Sequence, residues 1–332
     1  MAYTTIDDPS KYFQTALYTS NNTNRTITND GNSDLQPDFL WGKSRSFAED
    51  HNLVNTSVGV TKHLVSNTNA AEVTDTDRVT GVTSNGFSIG TDHRWNRESN
   101  SNMAVWQWKA NGGTTTTNDA SATGIGNTDS VIQANTEAGF SIVTFSGTGS
   151  GMTVAHGLGG TPNLIISKAR NDTENWAVHT TIIDGSVDFL RLSESDAKGD
   201  SSFSAPTSTV FGYNGSNNYV VYCFRSIKGY SKIGTYTGNG STNGTFTYTG
   251  FKPAWIISKR TDASADWHMY DNKREPDNPL SLTIFPNGSS GEVSGDALDF
   301  LSNGFKQRNT GAEQNADGGT YVYMAFAENP FV

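Results

Sequence analysis

The residues able to do chemistry in this 332-residue chain are few, and their spacing limits what they can be. Glu194, Asp196 and Asp200 form one group of carboxylates, and Asp271 with Glu275 another. Two carboxyls flanking a scissile bond are what glycoside hydrolysis needs, but neither group recurs at a matching place elsewhere in the chain. His156 and His179 have no Ser or Cys nucleophile motif beside them. No Gly-x-Ser-x-Gly elbow, metal-ligating His pair or phosphate loop is present. The one cysteine, Cys223, cannot form an intramolecular disulfide or a zinc-cysteine site. It lies in the apolar run 219–224 and is expected to be a small core hydrophobe, since a reactive thiol wants an exposed, electropositive setting. Asp30-Gly31-Asn32-Ser33-Asp34 offers oxygens at alternating positions, as calcium loops do. Leu35 then stands where Gly is wanted and Trp41 where a bidentate Glu would be, so a polar turn before Pro37 explains the segment equally well. The expectation is no catalytic residue, no metal and no cofactor.

A second set of residues does recur. Lys43, Lys168 and Lys259 each stand six residues after a proline, Pro37, Pro162 and Pro253, with an apolar run between; eight residues further come His51, Trp176 and Trp267. Two consecutive spacings agreeing at three places are the signature of an internal repeat. Trp176 and Trp267 could stack on a sugar ring. The alternative is that they fill equivalent core or rim sites, with the polar His51 tolerated where the first copy is more exposed. The three lysines are expected at solvated strand ends, where they keep sheet edges from pairing.

The elements that position these residues repeat as well. Strand-like segments 17–21, 142–147 and 233–238 precede the prolines, and apolar pairs follow the Trp/His position: Leu64 and Val65, Leu190 and Leu192, Leu282 and Ile284. Ser84-Asn85-Gly86-Phe87 returns as Ser302-Asn303-Gly304-Phe305, whereas the middle copy has 207–211 there and is shorter. Each copy closes on an aromatic-rich run, 103–109, 219–225 and 321–328, and Phe87 to Trp108 spans the same 21 residues as Phe305 to Phe326. The spacing predicts repeat units at 13–113, 139–228 and 229–332. Residues 1–12 form an N-terminal arm, with Tyr12 and Phe13 as apolar anchors for attachment; an ordinary first strand is the other reading of that segment. Residues 114–138, poor in apolar side chains, read as a linker or a long surface loop.

Composition supplies the fold class. Only 17% of residues are charged, 11% are aromatic and 34 are Gly, which argues against disorder and for short strands joined by tight turns. Asn239-Gly240, Asn243-Gly244 and Asn303-Gly304 suit hairpin turns, and no segment carries a 3.6-residue apolar stripe. The expected class is all-β: three tandem β-sandwich, jelly-roll-like repeat domains. On a strand, Trp106 and Trp108 point the same way and Gln107 the other, so if Gln107 faces solvent the tryptophan pair lies on a core or interface face. A net charge of −10 with scattered basic residues argues against nucleic acid. No apolar run reaches membrane-spanning length, and the polar, acidic N-terminus is unlike a secretory signal.

The opening Tyr3-Thr4-Thr5-Ile6-Asp7-Asp8-Pro9-Ser10, with Tyr12-Phe13 and Ala16-Leu17-Tyr18-Thr19, resembles the start of a family of repeat-domain virion proteins of marine bacteriophages that infect cyanobacteria and abundant marine heterotrophs. Gln107-Trp108-Lys109-Ala110-Asn111-Gly112-Gly113, Tyr236-Thr237-Gly238-Asn239-Gly240, Gly250-Phe251-Lys252-Pro253-Ala254-Trp255 and Met324-Ala325-Phe326-Ala327-Glu328-Asn329-Pro330-Phe331 are similar to that family too. The resemblance implies a non-enzymatic structural or adhesive protein at the virion surface, made in the host cytoplasm. A tail fibre or tail-associated adhesin is the leading expectation, a capsid decoration protein or head fibre the alternative, and a glycan depolymerase a lesser one. Implied partners are other virion proteins of tail or capsid, a host cell-surface glycan, and further copies of the chain, as a trimer by analogy with tail fibres.

Overall fold

The computed structural model describes residues 4–98 and 100–330 and is nearly all-β, built of several antiparallel sheets. In the first, strand Phe13–Thr19 pairs with Asn102–Trp108, which pairs with Phe39–Ser44, which pairs with Asn52–Asn55. The same order of first, closing, lysine-bearing and next strand holds in a second region for Phe140–Ser146, Asn218–Phe224, Leu164–Ala169 and Ala177–Thr180. It holds in a third for Ser231–Thr237, Thr320–Pro330, Phe251–Arg260 and Trp267–Asp271. The register agrees as well: Trp106, Tyr222 and Met324 of the closing strands lie opposite Trp41, Ile166 and Ile257.

Each of these quartets buries both faces, which is why its closing strand reads as a continuous apolar run. The inner faces of all three meet in one hydrophobic core. At its centre the rings of Trp108, Phe224 and Phe326, one from each closing strand, form a triangle with centroid separations of 6.4, 5.8 and 6.1 Å. The three regions thus surround a common aromatic axis. Trp106 and Trp108 both face this core. Gln107, on the other face, is buried rather than solvated and exchanges two amide hydrogen bonds with Asn29, at 3.1 and 2.7 Å.

The outer faces close three separate cores, each under a second layer of its own. The first region is covered by Arg25–Thr28, Gly86–Ile89 and Val79–Thr83; the third by Phe246–Tyr248, Gly304–Gln307, Val293–Leu301 and Leu280–Thr283. In both, the recurring Asn-Gly step brings a glycine against a neighbouring strand: a Cβ on Gly86 would lie 2.0 Å from the Ile27 carbonyl oxygen, and one on Gly304 2.1 Å from that of Thr247. Gly86 also holds φ +130°, so both space and conformation demand glycine there. A four-residue helix completes each of these layers, His93–Asn96 and Ala312–Asn315.

The second region departs from this plan. Its second layer is a two-stranded ribbon, Gly149–Ala155 with Val210–Gly215, and it has no such helix. Its main sheet grows to eight strands instead. Asp188–Arg191 and Gly199–Asp200 extend one edge, and Ser130–Asn135 and Thr116–Asn118 the other. The stretch 114–138, expected as a linker, therefore carries two strands and the short helix Ala120–Thr123, capped by Asp119 and ended by Gly124 at φ +67°. Ile132 adds to the outer core; its few apolar residues suffice because an edge strand buries little.

Candidate functional site

The recurring Trp/His position forms the joints between regions. The indole Nε1–H of Trp176 donates to the Val65 carbonyl of the first region at 2.7 Å, and that of Trp267 to the Arg191 carbonyl of the second at 2.8 Å. His51 Nε2 lies 3.0 Å from the Phe285 carbonyl of the third. Val65, Arg191 and Phe285 each follow the residue paired with the next strand, Leu64, Leu190 and Ile284, so the three bonds are equivalent and run head to tail around the axis. Trp176 is 0% and Trp267 3% exposed. The sugar-stacking expectation for both is corrected: buried rings with engaged N–H groups leave no free face.

His51 is equally buried, so exposure does not account for it. Its partner in packing does. Trp41 stands where the other regions have Ile166 and Ile257, and its Nε1–H donates to His51 Nδ1 at 2.8 Å. The bulk has moved from one strand to its neighbour, a volume-conserving exchange of the kind cores tolerate best. With Nδ1 accepting and Nε2 donating, His51 is held neutral; burial and the Lys43 charge push its pKa well below the ordinary value.

The lysines are not solvated strand ends either. Lys43, Lys168 and Lys259 are at most 1% exposed. Each ammonium donates to the next residue's carbonyl, Ser44, Ala169 or Arg260. Lys168 also reaches the Asn69 carbonyl and Lys259 the Ser195 carbonyl, both across a joint. Burial lowers the pKa of all three to about 8. Backbone bonds seal the same joints: Glu292 N–H to the Arg45 carbonyl at 2.7 Å, Glu72 to Arg170 at 2.8 Å, and Lys198 to Thr261 at 2.9 Å. Arg45 and Arg170 add bidentate pairs with Glu292 and Glu72.

The other candidates scatter. Phe13, proposed as an attachment anchor, is 4% exposed and stacks on Phe326 at 5.2 Å within the central core, which corrects that assignment. Tyr12 is half-buried with its ring 5.9 Å from that of Tyr230. Ile6 is also in the core, so residues 4–12 lie on the body, while residues 1–3 of the arm fall outside the described residues. Asp271 is buried against Arg274 and accepts from Trp106 Nε1 at 3.0 Å, a bond between the third and first regions. Glu275 accepts the backbone N–H groups of Ser281 and Leu282. Asp196 pairs with Arg191. Cys223 is a buried strand residue whose thiol burial pushes up to about 12. In the 30–34 turn, Gly31 N–H donates to Gln14, Ser33 to Asp8, and Asp30 meets Lys273 at 2.7 Å, while Asn32 and Asp34 are exposed. Asp184, Asp188 and Asp200 converge, but the Lys198 ammonium already sits among them at 2.7, 2.5 and 3.4 Å.

The cleft that spacing did not reveal lies on the outer face of the second region, with a volume of about 490 Å³. It opens where the helix is absent. In the first region Asn52 on this face is held by Arg78, and in the third His268 meets Glu313 at 2.8 Å. Ala177 stands at the same register and meets no such lid. Beside it lie His179 and the half-buried rings of Phe189 and Phe203, with polar Arg191 and Asn214 at the rim. His179 is 7% exposed, has its ring 4.6 Å from that of Phe203 at a tilt of 33°, and makes no hydrogen bond among the described residues; burial lowers its pKa to about 4. A Cβ on Gly199 would lie 2.6 Å from the Phe189 ring, so glycine lets that ring lie across the sheet edge. The sequence signal was the shortening itself: Phe211 to Phe224 spans 13 residues where the other copies have 21.

A family model described as a domain of unknown function, DUF7483, matches residues 8–330. No curated protein matches the sequence.

Proposed function

The chain belongs to the DUF7483 family of unknown function, and we propose that it is a non-enzymatic structural protein of the bacteriophage virion surface, built as three copies of one sandwich unit. Its leading role is that of a tail-fibre or tail-associated adhesin that contacts the host. The sequence resemblance supplies the virion; the observation that supports a scaffold is the head-to-tail ring of Trp176, Trp267 and His51 bonds around the aromatic triangle. Such a closed, cyclic set of joints makes a rigid body that holds Asn-, Ser- and Thr-rich loops at fixed separations. One chain supplies the threefold arrangement that a trimer of chains would otherwise have to provide. The carboxylates and histidines weighed for catalysis serve as structural partners or stand apart, which supports a binding role.

A capsid decoration protein or head fibre is the second reading, favoured by the ring closing on itself where a string of beads would have suited a long fibre. Electron cryo-microscopy of particles carrying the labelled protein separates the two. Label at the tail supports the adhesin, label on the capsid supports decoration, and particles assembled without the protein overturn both.

A further inference from the structure

The outer cleft of the second region has the makings of a ligand site. The first and third regions close the same place, the one with Trp95 lying over Gly42, the other with Gln314 donated to by Ser258 at 2.6 Å. In the second, Tyr213 bonds the equivalent Ser167 at 3.0 Å, Phe203 packs 4.6 Å from the buried His179, and Ala177 beside it stays part-exposed in the cleft. The His179 imidazole makes no hydrogen bond among the described residues, and its nitrogens are not among the fully enclosed polar atoms, so a group entering the cleft can reach them. Its neutral form carries one donor and one acceptor. A hydroxyl, itself donor and acceptor, is the partner that satisfies either tautomer.

The surroundings narrow the ligand further. Phe189 and Phe203 are half-buried at the cleft, and the Arg191 guanidinium lies over the Phe189 ring, 5.4 Å from its centroid, so a pyranose entering there meets aromatic carbon and hydrogen-bond donors together. Arg191, Asn214, Ser201 and Asp200 ring the opening with groups that both give and accept hydrogen bonds. A few convergent polar groups over an aromatic floor make a small-ligand site. The rim carries Glu174 and Asp200 against Arg191, a balance that repels a polyanion. A larger cleft of about 700 Å³ lies beside Phe145 and Tyr219, but those rings are 6% and 1% exposed and offer no platform.

We infer that this cleft binds an uncharged saccharide, one ring resting on Phe189 and Phe203 and a hydroxyl meeting His179. The inference deepens the host-contact reading above and rests on it only for where such a sugar is met. The test is saturation-transfer NMR on the full chain with gluco-, galacto- and manno-configured neutral oligosaccharides, and with oligogalacturonate and a mononucleotide as charged probes. Transfer to the ring protons of a neutral oligosaccharide is expected. His179→Leu and Phe189→Ala should each weaken it about tenfold, the loss of one hydrogen bond or stacking contact. Ala177→Trp, which refills the cleft much as Trp95 fills the first region, should abolish it. Phe189 is half-buried at the sheet edge, so its variant keeps the fold, checked by an unchanged unfolding transition. No transfer to any neutral sugar, transfer to the charged probes alone, or binding retained in all three variants would overturn the inference. Sugar binding by a protein missing from particles leaves the cleft assignment standing and removes the virion reading; a virion protein that binds no neutral sugar does the reverse.

Discussion

The second and third regions lay the same four strands around the same axis, yet cover the outer face of those strands differently. On the inner face the correspondence is residue by residue: Phe224 with Phe326, Trp176 with Trp267, Lys168 with Lys259. On the outer face one has four covering strands and a helix, the other a two-stranded ribbon and an open cleft. The difference follows from what each face must satisfy. An inner residue meets two other regions, so a change there must suit three partners at once. An outer residue meets only its own lid, and the lid is free to change length.

The largest loss of stability is expected at the axis. Phe326→Ala removes a ring that touches Phe13, Trp108, Phe224 and Trp255 and should cost about 3–5 kcal/mol. The half-buried Phe203 in the cleft, truncated the same way, should cost far less. Urea unfolding of both variants checks the ratio; equal losses would remove the distinction between faces.

The exchange of bulk between Trp41 and His51 gives the next effect. His51→Trp alone overpacks the joint and should cost about 1–3 kcal/mol, and Trp41→Ile alone leaves a cavity and an unpaired His51 nitrogen. The double variant restores the pattern Ile166–Trp176 and should lie within about 1.5 kcal/mol of the parent. A double-mutant cycle measures this, and additive losses would show that the positions do not compensate.

A smaller effect concerns the joint lysines. Their pKa is about 8 in the folded chain, below the ordinary value of 10.5. Between the two, the unfolded chain binds more protons, so this contribution raises stability as pH climbs from about 8. Above about pH 10 the buried tyrosines, held neutral by folding, oppose it. Replacing Lys43, Lys168 and Lys259 with Met should flatten the rise between about pH 8 and 10 in thermal melts. A rise of unchanged slope would contradict the burial of these ammonium groups.

Much of the inner face was legible in the sequence, because ring closure forces the same residue types to the same spacings. Pro-to-Lys and Lys-to-Trp intervals marked the corresponding strands; alternation put Trp106 and Trp108 on one face, but the premise that Gln107 is solvated failed, because the opposite face is buried too. What spacing could not show was the partner of each recurring residue. Trp176 stood open between a sugar platform and a core site, of which the core site is the one observed. Lys168 looked exposed because a lone strand end gives no hint that another region will cover it. Phe13 looked like an anchor on an arm for the same reason. The cleft was legible only as a deletion of eight residues, the difference between intervals of 21 and 13, and a deletion does not say what it uncovers. His179 gave no signal at all: a single histidine in a short strand becomes informative only once it is seen to line a cleft without a protein hydrogen-bond partner.

Three corresponding regions share one core about the Trp108, Phe224 and Phe326 triangle. Differential scanning calorimetry of the full chain tests it most directly. A shared core predicts a single cooperative transition, moved as a whole to lower temperature by Phe326→Ala. Three separable transitions, of which that substitution shifts only the last region's, would contradict it.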